Sequence, residues 1–269
     1  MNALYIVTTY VVLDDTLKAM GYRDDCRRDL SNAEILTVAV VAARFFQNHH
    51  ERALQVLIQT HAIPRFSLSR FNRRLHQAQH LLEAITEWLS AQVAQAGVAI
   101  IDTFPIPVCH IVRKKRCQKV QGPAFRGWCA AKKEWFYGFR LHWVCDAQGC
   151  PVSFCLLPAT THELTLVQDL CASLAPHTCI AADGAYVSAE QQALAWNTAQ
   201  IYLIARHHSN MSPNSPEELR FLELTRWMIE TAHSQLEKMG VQRLHARTLV
   251  GFSLKLLASL LALVFNHLI

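Results

Sequence analysis

VAIIDTFPIPVCH, the stretch from Val98 to His110, is the part of the chain whose reading decides the fold. Val98, Ala99, Ile100 and Ile101 run without a polar break into Asp102. Gly97 bounds the run on one side and Pro105 and Pro107 on the other, the pattern of a short buried strand. Asp102 is therefore expected near the carboxyl end of a core strand. A carboxylate there is costly to bury unless it is paired or holds a cation, and strand ends are where ligands gather in open α/β sheets. The plainer alternative is a structural Asp that caps a turn before Pro105.

A second Asp sits in the same setting. Thr178 to Ala182 is a short apolar run that ends on Asp183, followed by Gly184, Ala185 and Tyr186. One strand-end Asp is ambiguous, but two suggest neighbouring strands presenting a carboxylate pair. Between them, Phe136–Cys145 and Val152–Leu157 flank a turn containing Gly149 and read as an antiparallel hairpin. Leu164–Leu174 has helical spacing, Ser188 caps a helix through Trp196, and Ile201–Ala205 reads as a last strand. A helix from about Glu217 to Met239 carries Arg226 and Glu230 four apart on one face.

The first 96 residues read as helical. Ser31 with Glu34 has the form of a capping box ahead of Ile35–Phe46. Ser67 precedes a helix that carries Arg70, Arg73 and Arg74, with Phe71 and Leu75 on the opposite face. That pattern suits a helix with one packed face and one face turned either to phosphate or to solvent.

Composition sets outer bounds. With 269 residues and 51% hydrophobic content the chain can bury a sizeable core. The formal net charge of +5 is mild, so an electrostatic case for nucleic acid rests on where the basic residues cluster. They cluster after Asp102: Arg113, Lys114, Lys115, Arg116 and Lys119, then Arg126, Lys132 and Lys133, interleaved with Phe125, Trp128, Trp135 and Phe136. Such a segment can track phosphates while its aromatics stack on unpaired bases. The nine cysteines form no C-x-x-C pair, and no signal peptide opens the chain, which argues for reduced thiols in a cytoplasm. The C-terminal apolar run is interrupted by Lys255 and is too short to span a bilayer, so a buried helix is expected and not a membrane anchor.

Taken in order, IDTFPIPVCH with KKRC after it, FRGWCAAKKEWFYGFRLH, the PATTHE turn, ADGAY, IETAHSQLEK and RLHARTLVGFSLKLLASLLA resemble the DDE transposases of bacterial insertion sequences, most closely the insertion sequence 982 family. The resemblance implies an α/β, RNase H-like core at residues 97–269: a mixed five-stranded sheet flanked by helices. An N-terminal all-α region, residues 1–96, would serve DNA-end recognition or dimerisation. It implies a catalytic Asp102, Asp183 and Glu230 holding two Mg²⁺ ions, with Mn²⁺ able to substitute. Arg226 and Lys238 would fill basic positions around the glutamate, with Arg140 among the phosphate-neutralising residues. His162 and Tyr186 would lie just behind the ligands. Glu223 and Glu237 share the helix with Glu230, which is preferred because the IETAHSQLEK motif aligns there. The implied partners are double-stranded transposon ends and target DNA, engaged by a homodimer or larger assembly, with the protein cytoplasmic and nucleoid-associated. A nuclease of the same fold that cuts without joining, and a non-catalytic DNA-binding descendant, are the competing readings.

Overall fold

A computed structural model describes residues 3–269. By its internal contacts the chain forms two compact units. One contains the residues up to Gln92 together with Gln235–Ile269, and the other is Val93–Ser234.

The first unit is helical: α1 (Ala3–Ala19), α2 (Asn32–Phe46), α3 (His50–Gln59), α4 (Leu68–Gln77) and α5 (Gln79–Val93), with α9 (Leu249–Phe265) returning from the far end of the chain. Ser31 closes the expected capping box, its side chain accepting from Glu34 N–H while Glu34 accepts from Ser31 N–H. Ser67 caps α4 through the N–H of Arg70. Helix α2 is buried at every position from Ile35 to Ala43, and α9 from Leu256 to Phe265, so neither could stand as an amphipathic surface helix. Asn48 fastens the two ends of the chain, its amide donating to the carbonyl of Met239 and the hydroxyl of Ser259. The boundary expected at residue 97 therefore places the C-terminal helix differently from the observed contacts. A helix apolar on nearly all sides needs the α2 surface to cover it, which the sheet expectation did not provide.

The second unit is built on a mixed sheet. Its strands are β1 (Val98–His110), β2 (Arg126–Cys129), β3 (Glu134–Asp146), β4 (Pro151–Pro158), β5 (Cys179–Ala182) and β6 (Tyr202–Ala205). The order is β2-β3-β1-β5-β6, with β4 also paired to β3. β1 runs antiparallel to β3 and parallel to β5, and β5 is parallel to β6. The sheet thus has six strands where five were expected. The additional one, β2, takes Glu134–Tyr137 of β3, and β4 takes the stretch from Phe139 onward. Arg126–Cys129, RGWC, has too few residues to show strand periodicity and reads as part of a basic loop.

β1 also continues past Asp102 to His110. Pro105 and Pro107 do not stop it, because β5 ends opposite Ile101 and leaves β1 with an open edge where a missing N–H forfeits no ladder bond. On the other edge the backbones of β1 and β3 come close: a Cβ on Gly138 would fall 2.6 Å from the nitrogen of Val108. One sheet face, with Ile101, Val144, Ile180 and Leu203, packs on α6 (Val167–Cys171), α7 (Ala189–Ala199) and Tyr186. On the other face Trp143 and Phe104 meet His233 of α8 (Pro216–Lys238).

Candidate active site

The parallel pairing of β1 with β5 sets the site. Its last paired residues are Ile101 and Ala182, and the next residue on each strand is an aspartate. Asp102 and Asp183 therefore leave neighbouring strands at one level. Asp102 accepts a hydrogen bond from the N–H of Thr103 at 2.7 Å, and Asp183 one from the N–H of Ala185 at 2.9 Å.

Burial raises the Asp102 carboxyl to about 7, partly opposed by the Thr103 N–H and reinforced by the negative charges of Asp183 and Glu163. Asp183 is more open to solvent, yet its carboxyl is also raised, first by desolvation and next, after the opposing Ala185 N–H, by Glu163. Asp146, on the same ladder, shows what a structural buried carboxylate looks like. It accepts three backbone N–H groups, from Gln95, Gln148 and Cys150. Asp102 has no such cage and faces other carboxylates instead. That arrangement is unfavourable for folding alone and suits the binding of positive charge.

Glu163 is the residue that sequence reasoning missed. The turn after β4 places it against Arg140 of β3, 2.6 Å away, both side chains about one-fifth exposed. Its negative charge acts on Asp102, Asp183 and the buried phenol of Tyr186. The PATTHE turn carries Glu163 directly after His162. His162 is in fact exposed and caps the turn, accepting from the N–H of Leu164 at 3.2 Å. Its position behind the carboxylates belongs to its neighbour. Tyr186 is fully buried, and its phenol is raised well above the ordinary value by burial and then by Asp102.

Helix α8 brings His233 to Asp102, Nε2 to Oδ2 at 3.9 Å. The indole N–H of Trp143 points at the same ring nitrogen from 3.3 Å. Glu230 lies nearly one turn earlier on α8, exposed, and accepts from Arg226 Nε at 2.9 Å. The structure thus gathers Asp102, Asp183 and Glu163, and turns Glu230 toward solvent. Among the described residues no group of three or more His, Cys, Asp or Glu is close enough to hold a metal ion as it stands. The donors nevertheless fit a hard divalent cation: two carboxylates at one level, with few competing hydrogen bonds and a repulsion that a cation would relieve.

The basic residues divide by use. Arg113, Lys114, Lys115 and Arg116 form an exposed 3-10 turn directly after β1, with Lys119 half-buried beyond it. Arg126, Lys132 and Lys133 are exposed on the β2–β3 hairpin, and Lys238 is exposed at the end of α8. Arg140 is not a free phosphate contact, being held by Glu163 and by the carbonyl of Trp128. Arg74 is likewise occupied, donating to Leu30 O and to Asn32 Oδ1, with its side chain 12% exposed. Arg73 is exposed on α4, and Arg70 pairs with Asp29 at the surface.

Among the described residues no helix is long and apolar enough to cross a membrane. Comparison with curated proteins and with solved structures gives no match. The family described as transposase DDE domain matches residues 92–249, more than half of the chain and all of the sheet unit from Val93 to Ser234. With two aspartates side by side on parallel strands and a glutamate-bearing helix against the same sheet, the chain belongs to the DDE transposase family.

Proposed function

We propose that this chain is the transposase of a bacterial insertion sequence of the 982 type, which binds the ends of its element, cuts them and joins them to target DNA. The observation that carries the reading is the level placement of Asp102 and Asp183 on β1 and β5. The antiparallel β4-β3-β1 arrangement continued by parallel β5 and β6, with helices on both faces, supports an RNase H-like core.

Asp102 and Asp183 would hold Mg²⁺ or Mn²⁺, with Glu230 completing the set. Two such ions would activate a water or a terminal 3′-hydroxyl and steady the departing oxygen of the phosphodiester. Glu230 can turn inward at small cost, since an exposed i,i+4 ion pair such as Arg226–Glu230 is worth only about 0.3–0.5 kcal/mol. Glu163, held by Arg140, adds to the field that draws the cations.

The exposed turn Arg113–Arg116 follows the catalytic strand and would neutralise phosphates there. The helical unit would supply end recognition through Arg70 and Arg73, and assembly on DNA. One face of α1 supports assembly: Leu4, Val7 and Val11 are 45–62% exposed along it.

The test is incubation of the full chain and Mg²⁺ with a duplex carrying the element's terminal sequences. Cuts at the ends and joined products are expected. Cutting without joining of pre-cut ends identifies a nuclease, and metal-independent binding without cutting identifies a non-catalytic descendant.

A further inference from the structure

The hairpin formed by β2 and the start of β3 carries chemistry that the carboxylate site does not use. Trp128 and Trp135 are directly opposed across it. Both are exposed, 42% and 47%, with ring centroids 5.3 Å apart in an edge-to-face arrangement. The guanidinium of Arg126 lies over the Trp135 ring at 4.2 Å. Strand alternation puts Arg126, Trp128 and Trp135 on one face, while Gly127 and Phe136 point to the other and pack there: a Cβ on Gly127 would fall 2.5 Å from the Phe136 ring. The hairpin is therefore held from behind, and its indoles are presented outward without an apolar surface over them. Two large indoles left in water are costly, and the same arrangement offers flat faces to a ligand.

We propose that this hairpin is a stacking platform for an unpaired nucleotide of DNA at the carboxylate site, a proposal that rests on the transposase reading. Three observations select that occupant. The exposed cations Arg126, Lys132 and Lys133 on so short a hairpin, against a single acid, Glu134, favour a polyanion over an apolar protein surface. The exposed groups are planar and the charge on them is a guanidinium, which suits bases and phosphates together. Bases inside a duplex are already stacked on one another, so an indole at the tip of a hairpin can reach the face of an unpaired base only.

Position links the platform to the reaction. Arg140 donates to the carbonyl of Trp128 at 3.0 Å with one nitrogen and to Glu163 at 2.6 Å with another. The charge of Glu163 in turn acts on Asp102 and Asp183. One side chain thus ties the hairpin backbone to the carboxylates, and a nucleotide frayed from an end held there would meet Trp128 or Trp135.

The test uses the full chain in EDTA, so that no strand is cut. Its affinity is measured by fluorescence anisotropy for a labelled oligothymidine, for an abasic oligomer of the same length, and for a duplex. Stacking is worth enough that the wild type is expected to bind oligothymidine roughly 10- to 100-fold more tightly than the abasic strand. A W128L/W135L variant is expected to lose that preference while keeping its affinity for the abasic strand and the duplex within about 2-fold. Equal wild-type binding of the two single strands overturns the proposal and needs no variant that folds. So does a folded double variant that keeps the preference. Dissociation of a dimer on replacing the two tryptophans, with single-strand affinity unchanged, would also overturn it and would make the face an interface between copies. Equal binding of the two single strands by a wild type that still cleaves the ends overturns the platform and leaves the transposase reading standing. Absent cleavage with the preference intact does the reverse.

Discussion

Replacing Asp102 by Asn should stabilise the protein above neutral pH in the absence of divalent metal, although it removes a carboxylate that is expected to be essential. Asn can still accept from the Thr103 N–H through its amide oxygen, so the local hydrogen bond survives. What disappears is the cost of ionising a group whose carboxyl is raised from 3.8 to about 7, by burial first and by Asp183 and Glu163 next. Because the folded-state value lies above the unfolded one, the carboxyl penalises folding least below about pH 4. The penalty grows as pH rises and is complete above about pH 7. At about 1.36 kcal/mol per unit the full shift would correspond to ~4 kcal/mol. The side chain keeps 28% exposure, so solvent screening reduces this to roughly 2 kcal/mol. Urea unfolding of both proteins in EDTA, at pH values from about 4.5 to about 8, should show a difference near zero at the acid end and roughly 2 kcal/mol in favour of the variant at the other, or a Tm gain on the order of 4–8 °C. Adding Mg²⁺ should raise the stability of the wild type and close the gap. A difference that does not change with pH, or a variant less stable at pH 8, would refute the argument that Asp102 is held against its own charge.

Other outcomes follow from the same geometry. Replacing Lys114, Lys115 and Arg116 together with Ala should flatten the dependence of log K for DNA on log salt by about 2 to 3, if each contacts a phosphate; an unchanged slope in a filter-binding titration would point the turn elsewhere. Arg74→Ala should destabilise the chain by roughly 1–3 kcal/mol in urea, since two acceptors lose a buried partner, whereas Arg73→Ala should leave stability within about 0.5 kcal/mol and weaken DNA binding. Gly138→Ala should cost at least ~2 kcal/mol or abolish folding, because its Cβ would meet the backbone of β1; a variant with wild-type unfolding would show that β1 and β3 are farther apart than described.

The parts of this architecture that were legible in the sequence are those carried by local chemistry. The capping box at Ser31, the caps at Ser67 and Ser188, the β3–β4 hairpin, α7 and the apolar runs into Asp102 and Asp183 all depend on residues close in the chain, and each element lies within a few positions of its expected place. What was not legible depends on distant partners. The continuation of β1 through Pro105 and Pro107 is permitted by where β5 ends. The membership of α9 in the helical unit is set by α2 and Asn48, far away in sequence. Leu164–Leu174, expected as one helix, is a 3-10 turn followed by the short α6. At the site, Arg140 looked like one more cation for phosphate because nothing local shows that Glu163 lies across from it. His162 looked like the important member of its pair because histidine carries more chemistry by type than by position. Glu230 marks the opposite limit: the motif IETAHSQLEK singles it out, while its side chain is exposed and paired with Arg226.

The most direct test of the central claim is the single-turnover rate at which the chain cuts a duplex bearing the element's ends in Mg²⁺ or Mn²⁺, compared between wild type and Asp183→Asn. Asp183 is the better of the two aspartates for this purpose, being open to solvent and held by one hydrogen bond that Asn can keep. Asn should leave folding and DNA binding intact, and the rate should fall by at least ~10³-fold if the carboxylate helps to hold the ions that activate the nucleophile. Glu223→Gln, on the helix that carries Glu230, should cut nearly as fast as wild type in the same experiment. If Asp183→Asn cuts at the wild-type rate, the level pair on β1 and β5 is not the catalytic centre and the account fails.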